Sequence, residues 1–317
     1  MLSFDQFTGL FMILPLIAPF GLPAQSPPMH TAPMTERFGK PYVEVAIEGK
    51  GPFRFIIDTG TGADAFVSPE LAEELDLPPA GEVVLKDPSH AGAQHVPTVF
   101  IPHLQVAGVD FYWIEAVVHP VTGEAGTCQG LLGFTLFRDY LLTLDFPRRQ
   151  IEIEQGALMP DGNRNVLPMR MPDGIPITAL RVNNQAVDAA LDSGGGGLTL
   201  SESFASHLKW DVDPVLFATG HSLTTSFNIK AAKLDSDVKI GRYTFNHPVV
   251  EINPTFTLVN FGSPPMQSFA ITFDQKNLLV RLEADNDHLL LLAPPTPARL
   301  TNEPDPEAPL PDLVPIG

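Results

Sequence analysis

Two aspartates, Asp58 and Asp192, each end an apolar run, and each is followed by a hydroxyl residue and a glycine. Two carboxylates about 3 Å apart cannot both ionise, so they share one proton. The ionised member can then take a proton from water, and the protonated member can donate one to a carbonyl oxygen. Hydrolysis without a metal requires such a base and acid. The two segments therefore predict a paired-carboxylate site, if the fold brings them together.

The sequence around the two aspartates repeats at matching distances. Gly133 lies 75 residues after Asp58, and Gly262 lies 70 residues after Asp192. A further aspartate follows each of these glycines by 12 residues. A single Asp-Thr-Gly is a turn more often than an active site. Two copies in matching surroundings instead predict an internal repeat.

Each aspartate is expected at the far end of a β-hairpin. Residues 40–58 alternate apolar and polar side chains around a glycine-rich turn, and residues 177–192 do so around a pair of asparagines. Ser68 and Ser201 follow the two aspartates at similar distances. A serine followed by an acidic first turn predicts the N-cap of a short helix in each copy.

On these motifs the chain resembles the two-lobed aspartic proteases of the retropepsin/pepsin type. It is most similar to bacterial aspartyl protease family proteins that carry two retropepsin-like repeats in one polypeptide. The resemblance covers roughly residues 40–283 and rests on Asp58, Thr59, Gly60, Leu131, Leu132, Gly133, Asp192, Ser193, Gly194, Phe261 and Gly262. It implies an all-β, bilobal acid-protease fold with two related six-stranded-type β-barrel lobes and short helices.

The resemblance also implies a function and roles for residues. Aspartic endopeptidase activity on a peptide or protein substrate is expected, with Asp58 and Asp192 catalytic and no metal or organic cofactor. The hydroxyls of Thr59 and Ser193 would bond across to the opposite loop and lock the two halves together. The backbone N–H groups of Gly60 and Gly194 would face the carboxylates.

The other supporting residues surround the two loops. Leu132 and Gly133 would pass beneath the first loop and brace it, with Gly262 in the corresponding place of the second repeat. Thr61 lies three residues after Asp58, where pepsin-like enzymes hold a hydroxyl that bonds the outer carboxylate oxygen. Gly195 occupies that place after Asp192. Since hydrogen bonds to a carboxylate lower its pKa, Asp58 is expected to be the ionised member.

Two flaps are expected over the cleft by the same resemblance, at residues 88–99 and 219–230. The first contains none of the tyrosines that pepsins place in a flap. A mostly apolar cleft would favour hydrophobic side chains beside the cut. The peptide would bind extended, by strand-like pairing.

Composition limits the class of protein. With 317 residues, the chain exceeds the size at which one core stops growing, so two lobes are expected. Its 33 prolines and 25 glycines favour many turns and short strands. The net charge of −18 disfavours nucleic acid as a partner. A single cysteine, Cys128, excludes an internal disulfide and leaves the redox compartment open.

The N-terminus predicts export. Residues 8–22 are apolar but too short and too proline-broken to span a bilayer, and Ala24 suits cleavage by a signal peptidase. The segment before them holds Asp5 and no basic residue, so an uncleaved anchor or a mis-set start stays open. The protein is expected to be periplasmic or secreted, and monomeric without stable membrane insertion. It would be cytoplasmic or membrane-anchored if the segment is not cleaved.

The predicted organisation follows these changes of composition along the chain. In order, it comprises a signal peptide (1–24), a disordered connector (25–39), an N-terminal retropepsin-like lobe (40–155), an interlobe linker (156–176), a C-terminal retropepsin-like lobe (177–283) and a disordered tail rich in proline and acid (284–317).

Several alternatives stay open at this point. A catalytically inactive peptide- or protein-binding protein on the same scaffold is the main one, because the glycine run at residues 194–197 predicts a loose loop. Each repeat could instead form half of a dimeric site. A nucleotide site at the glycine run, a zinc site among the histidines of residues 90–119 and a thiol nucleophile at Cys128 lack their usual motifs.

Overall fold

Short alternating runs form strands throughout the chain. In the strand Lys40–Ile47, for example, Val43, Val45 and Ile47 are buried while Glu44 is exposed. The computed structural model describes residues 28–37, 39–86, 93–121, 128–221 and 226–292. Its architecture is all-β and bilobal, with a few short helices, and this confirms the predicted fold class.

The strands of the N-terminal half are β1 (Met29–Pro33), β2 (Thr35–Arg37), β3 (Lys40–Ile47), β4 (Lys50–Asp58), β5 (Ala65–Val67), β6 (Pro79–Lys86), β7 (Ala93–Val106), β8 (Val109–Val118), β9 (Gly130–Gly133), β10 (Leu141–Asp145) and β11 (Gln150–Glu154). Those of the C-terminal half are β12 (Val166–Pro168), β13 (Ile177–Val182), β14 (Gln185–Asp192), β15 (Leu198–Ser201), β16 (Trp210–His221), β17 (Ser226–Leu234), β18 (Val238–Ile240), β19 (Tyr243–Phe245), β20 (Val249–Asn253), β21 (Val259–Gly262), β22 (Ala270–Asp274), β23 (Leu279–Glu283) and β24 (His288–Leu289).

The helices are short: α1 (Pro69–Glu74), α2 (Glu202–Ala205), α3 (Ser263–Met266) and 3-10 turns at Phe134–Phe137 and Pro172–Gly174. Two of them start at the predicted serines. Ser68 Oγ accepts a hydrogen bond from the Leu71 N–H at 3.2 Å, and Ser201 Oγ accepts one from the Phe204 N–H at 3.3 Å. Both N-cap predictions are confirmed.

The two lobes share seven strands in one order. The N-terminal lobe runs β3-β4-β9-β5-β8-β7-β6, and the C-terminal lobe runs β13-β14-β21-β15-β20-β17-β16. The pairing directions also correspond: β4 and β9 are parallel, as are β14 and β21. In the N-terminal lobe an additional pairing of β3 with β7 closes six strands into a ring. The second sheet continues from β13 to β18, β19 and β24.

A third sheet joins the lobes. Its order is β1-β11-β10-β22-β23-β12, with β10 from the first half antiparallel to β22 from the second. The buried hydroxyls of Thr143 and Thr272 meet across this pair at 2.8 Å. The rings of Phe134 and Phe273 pack edge to face with centroids 5.0 Å apart. The hydrophobic core is continuous from one lobe through this sheet to the other.

The third sheet also corrects the predicted boundaries. The connector expected at residues 25–39 contains β1 and β2, and the linker expected at residues 156–176 contains β12. The tail expected to be disordered from residue 284 still contributes β24, with Leu289 buried. Each of these segments supplies a strand at the edge of a sheet, and β1, β12 and β24 pair with strands that lie far away in the sequence. The rest of the predicted tail and the apolar N-terminal block lie outside the described residues.

No helix in the described ranges is long and apolar enough to cross a membrane.

Candidate active site

The two predicted hairpins deliver both aspartates to one place. Strand β4 returns antiparallel to β3 and ends at Asp58, and β14 returns antiparallel to β13 and ends at Asp192. The second hairpin turns at Asn183 and Asn184, whose φ values are 50° and 62°. Positive φ at both residues is typical of a two-residue turn whose twist matches that of the paired strands. Both hairpins therefore end as expected.

A second strand supports each aspartate from the side. Gly133 at the end of β9 lies opposite Asp58, and Gly262 at the end of β21 lies opposite Asp192. The Gly133 N–H donates to the Asp64 carbonyl at 2.9 Å, and the Gly262 N–H donates to the Gly197 carbonyl at 2.8 Å. Leu132, the residue before Gly133, is fully buried in the core. These strands hold both active-site loops from beneath.

Thr59 and Ser193 join the two loops across the lobe boundary. Thr59 Oγ1 accepts a hydrogen bond from the Ser193 N–H at 2.9 Å and donates to the Leu191 carbonyl at 2.7 Å. Ser193 Oγ accepts from the Thr59 N–H at 3.0 Å and donates to the Ile57 carbonyl at 2.6 Å. Neither side chain is exposed to solvent. Four buried hydrogen bonds thus fix one loop relative to the other.

Each carboxyl lies against the glycine of the opposite loop. A Cβ added at Gly60 would lie 2.3 Å from Asp192 Oδ1, and one added at Gly194 would lie 2.5 Å from Asp58 Cγ. Real Cβ atoms do not approach other atoms this closely, so both positions require glycine. The two carboxyls are also near enough for the charge of Asp192 to raise the pKa of Asp58. The fold therefore brings Asp58 and Asp192 together.

The shared site changes the acidity of Asp58. Burial and, after it, the neighbouring charge of Asp192 raise the pKa of Asp58 from 3.8 to about 7. The positive charge of Lys40 and the Gly60 N–H, which donates to Asp58 Oδ1 at 2.9 Å, oppose this rise. Taken as whole residues, both aspartates are half-buried.

The expected assignment of the ionised member is wrong in this structure. Among the hydrogen bonds of the described residues, none joins the Thr61 hydroxyl to Asp58. Instead, Asn260 Nδ2 donates a hydrogen bond to Asp192 Oδ2 at 2.8 Å. The pKa of Asp58 is raised, which is the opposite of the lowering expected from Thr61.

Close contacts explain the glycine run at residues 194–197. A Cβ at Gly195 would lie 2.6 Å from Asn260 Nδ2, and one at Gly197 would lie 2.8 Å from the Glu251 carboxyl carbon. The loop is therefore packed against polar side chains rather than loose. Sequence reasoning missed both Asn260 and Glu251. The available signal was a polar residue at an otherwise apolar strand position, since Asn260 stands where the first repeat has Leu131.

Long hairpins occur where flaps were expected. Strands β6 and β7 pair in the first lobe, and β16 and β17 pair in the second. Of the flaps expected at residues 88–99 and 219–230, residues 88–92 and 222–225 lie outside the described residues. The strands leading to both tips are present on their lobes.

His90, one of the weaker sequence candidates, lies outside the described residues, and the structure shows the surroundings of Cys128 and His103. Cys128 is buried, its Sγ donates to the Gly130 carbonyl at 3.1 Å, and burial raises the pKa of its thiol. His103 stacks on Tyr112 and contacts Asp110 at 2.8 Å. Within the described ranges, no group of three or more histidine, cysteine, aspartate or glutamate side chains is arranged to hold a metal ion.

Chemically, the paired carboxyls can act as base and acid on opposite sides of one bound molecule. No curated protein matches the chain. Residues 43–136 match the model of a family described as aspartyl protease. This range runs from β3 to the 3-10 turn after Gly133 and includes Asp58, Thr59 and Gly60. Over that range the N-terminal lobe is similar to the aspartyl proteases.

Proposed function

We propose that the protein is an aspartic endopeptidase that hydrolyses peptide bonds through a water molecule held between Asp58 and Asp192. The observation that carries the proposal is the reciprocal packing of each carboxyl on the glycine of the opposite loop. This packing supports one shared site within one chain. The family match of the N-terminal lobe supports the same chemistry.

In the proposed mechanism, Asp192 is the base and Asp58 is the acid. The Asp192 carboxylate takes a proton from water as the water oxygen attacks the scissile carbonyl carbon. Asp58 donates its proton to the carbonyl oxygen, giving a neutral tetrahedral diol. Asp192 then passes its proton to the amide nitrogen and Asp58 takes one back from the diol. The C–N bond breaks to give a carboxylic acid and an amine.

We further propose that the C-terminal lobe is a second retropepsin-like repeat. Its support is the common order of seven strands and the common pairing directions in the two lobes. In the second half-site the group beside the aspartate is the Asn260 amide. The substrate would lie between the lobes under the two long hairpins.

The location and state of the protein are also proposals. Export to the periplasm or outside the cell rests on the apolar block at residues 8–22, which precedes the described residues. A monomer is proposed because both halves of the paired site come from one chain. Expression with and without residues 1–24, followed by fractionation and sedimentation of the exported form, tests both points.

Cleavage of an unfolded protein at mildly acid pH tests the function. The intact chain should cut it, pepstatin should inhibit the reaction, and Asp58→Asn and Asp192→Asn should each abolish it. Asp76→Asn is the matched control, because Asp76 is exposed and lies at a φ of 49° that asparagine tolerates. Loss in Asp58→Asn alone would favour a dimeric site, and binding of peptide without any cleavage would favour the inactive binding protein.

A further inference from the structure

The two half-sites differ at two corresponding positions. Three residues after the aspartate, the first has Thr61 and the second has Gly195. Two residues before the supporting glycine, the first has Leu131 and the second has Asn260. In the structure only the second half-site directs a side-chain donor at its carboxyl, from Asn260 Nδ2 to Asp192 Oδ2 at 2.8 Å.

Strand geometry accounts for this contact. Asn260 on β21 lies opposite Ala190 on the parallel strand β14, and Ala190 comes two residues before Asp192. Since side chains alternate along a strand, Ala190 and Asp192 share a face, and Asn260 is the diagonal neighbour of the carboxyl on that face. Leu131 has the corresponding place beside Asp58, but an aliphatic side chain cannot donate a hydrogen bond.

The absence of a side chain at Gly195 makes room for the Asn260 amide. A Cβ there would lie 2.6 Å from Asn260 Nδ2 and 2.8 Å from Asp192 Oδ2. A side chain after Asp192 and an amide bound to Asp192 would therefore compete for the same space. Gly195 leaves that space to Asn260.

A buried polar row extends behind Asn260. Thr199 pairs with Asn260 on one side and with Glu251 on the other, so the three side chains share a face of the sheet. Thr199 Oγ1 donates to Glu251 Oε2 at 3.2 Å. Asn260 is 2 % exposed, and its Oδ1 has no hydrogen-bond partner among the described residues. The amide is thus held in place by strand packing and turned toward the carboxyl.

We propose that Asn260 is a positioning residue that keeps Asp192 in the ionised form required of the base, and that Gly195 is glycine to admit it. The inference rests on the proposed function, since it assigns the base of that reaction. An amide N–H forms a stronger hydrogen bond with an ionised carboxylate than with a neutral carboxyl, so the contact favours the ionised form. The charged groups near the contact are Asp58, Lys40, which lowers the pKa of Asp58, and Glu251, whose pKa is raised by burial.

The test compares Asn260→Leu with Gly195→Ala in the full chain. Leucine copies the first half-site, and the alanine methyl displaces the Asn260 amide while leaving Asn260 in the sequence. Each variant should move the acid limb of the kcat/KM profile upward by about one pH unit, a tenfold loss of kcat/KM below that limb. The double variant should shift no further than either single variant, because both remove one hydrogen bond.

The matched control is Asn253→Leu. Asn253 is also a buried asparagine on a strand of the same lobe, but it bonds to Thr255 instead of an aspartate. Its loss should lower the unfolding temperature and leave the acid limb in place. If Asn260→Leu does not fold, Gly195→Ala still carries the test, since the three atoms nearest to its new methyl belong to the side chains of Asn260 and Asp192, the two partners of the hydrogen bond.

A ¹³C NMR titration of the aspartate carboxyl carbons separates this inference from the proposed function. The lower pKa of the pair should rise by about one unit in both variants, whether or not the chain cleaves peptides. If the lower pKa rises in both variants but the parent chain hydrolyses no peptide, the proposed endopeptidase activity is overturned and the role of Asn260 is retained. An active chain whose acid limb and lower pKa stay unmoved in both variants would overturn the role of Asn260 alone. Additive shifts in the double variant would overturn the link to Gly195.

Discussion

Thr59 and Ser193 each accept a hydrogen bond from the backbone N–H of the other, at 2.9 and 3.0 Å, across the boundary between the lobes. Each hydroxyl also donates to a backbone carbonyl of the opposite strand. The six polar atoms of these four hydrogen bonds belong to fully buried residues, so water cannot replace any of the bonds. The pair therefore couples the folding of the two lobes to the geometry of the carboxyls between them.

Thr59→Val should strongly destabilise the protein. Valine keeps the shape of threonine but leaves the Ser193 N–H and the Leu191 carbonyl buried without a partner, at about 1–3 kcal/mol for each group. We expect the free energy of unfolding in urea to fall by about 2–4 kcal/mol. Thr31→Val, at an exposed position of β1, should change it by less than about 0.5 kcal/mol. Equal effects of the two substitutions would show that the hydrogen bonds of the Thr59 hydroxyl do not stabilise the fold.

Gly194→Ala should inactivate the protein, whereas Gly196→Ala should not. The new methyl at position 194 would overlap the Asp58 carboxyl, but the nearest atom to a Cβ at position 196 is 3.8 Å away. We expect cleavage of a peptide to fall by at least ~100-fold in the first variant, because small displacements of reacting groups have such effects. Activity should stay within about twofold in the second. Similar activities of both variants would show that this approach of the carboxyl is not needed for catalysis.

The raised pKa of Asp58 should make the protein less stable as pH rises. The folded state holds this proton up to about pH 7, while the unfolded chain releases it near 3.8. The folded state therefore binds more protons between these values, and its extra stability, roughly 4 kcal/mol, is present at low pH and lost on approaching pH 7. Asp58→Asn should flatten the dependence in urea titrations at pH 4 to 8. Asp76→Asn should leave it unchanged.

The alkaline limb of activity should depend on Lys40. Asp58 must carry a proton to act as the acid, so activity should decline as pH rises through about 7. Lys40 lowers the pKa of Asp58, and Lys40→Met should raise it and shift the alkaline limb to higher pH. The exposed Lys50→Met serves as the control in the same kcat/KM profile. An upward shift of the acid limb in Lys40→Met, with the alkaline limb in place, would instead assign Asp58 as the base.

Glu251 should weaken the fold at alkaline pH. Burial raises the pKa of this carboxyl above its ordinary value of 4.5, with the Thr199 hydroxyl acting in the opposite direction. The stability that it contributes is present below 4.5 and lost as pH rises through the folded pKa. Glu251→Gln, which stays neutral, should therefore unfold at a higher temperature than the parent at pH 8 and show little difference at pH 4. Thermal melts at the two pH values check the sign.

The structure also shows which features can be predicted locally. The hairpins ending at Asp58 and Asp192 and the N-caps at Ser68 and Ser201 depend on alternation, turn residues and capping within a few positions. Each of these was predicted from the sequence and is present. The strand at residues 29–33 was not, because it is short and its order comes from pairing with β11, more than one hundred residues away.

The amino-acid sequence by itself determined that the chain is β-rich, that it has two similar halves, and that each half ends a hairpin at an aspartate. These properties follow from side-chain periodicity and from glycine and serine at special backbone positions. Only the tertiary structure decided which polar groups surround each carboxyl. Asn260 reaches Asp192 through neighbouring strands separated by 68 residues. Sequence spacing does not specify such a contact, because it depends on the register of the two strands and on the space left by Gly195.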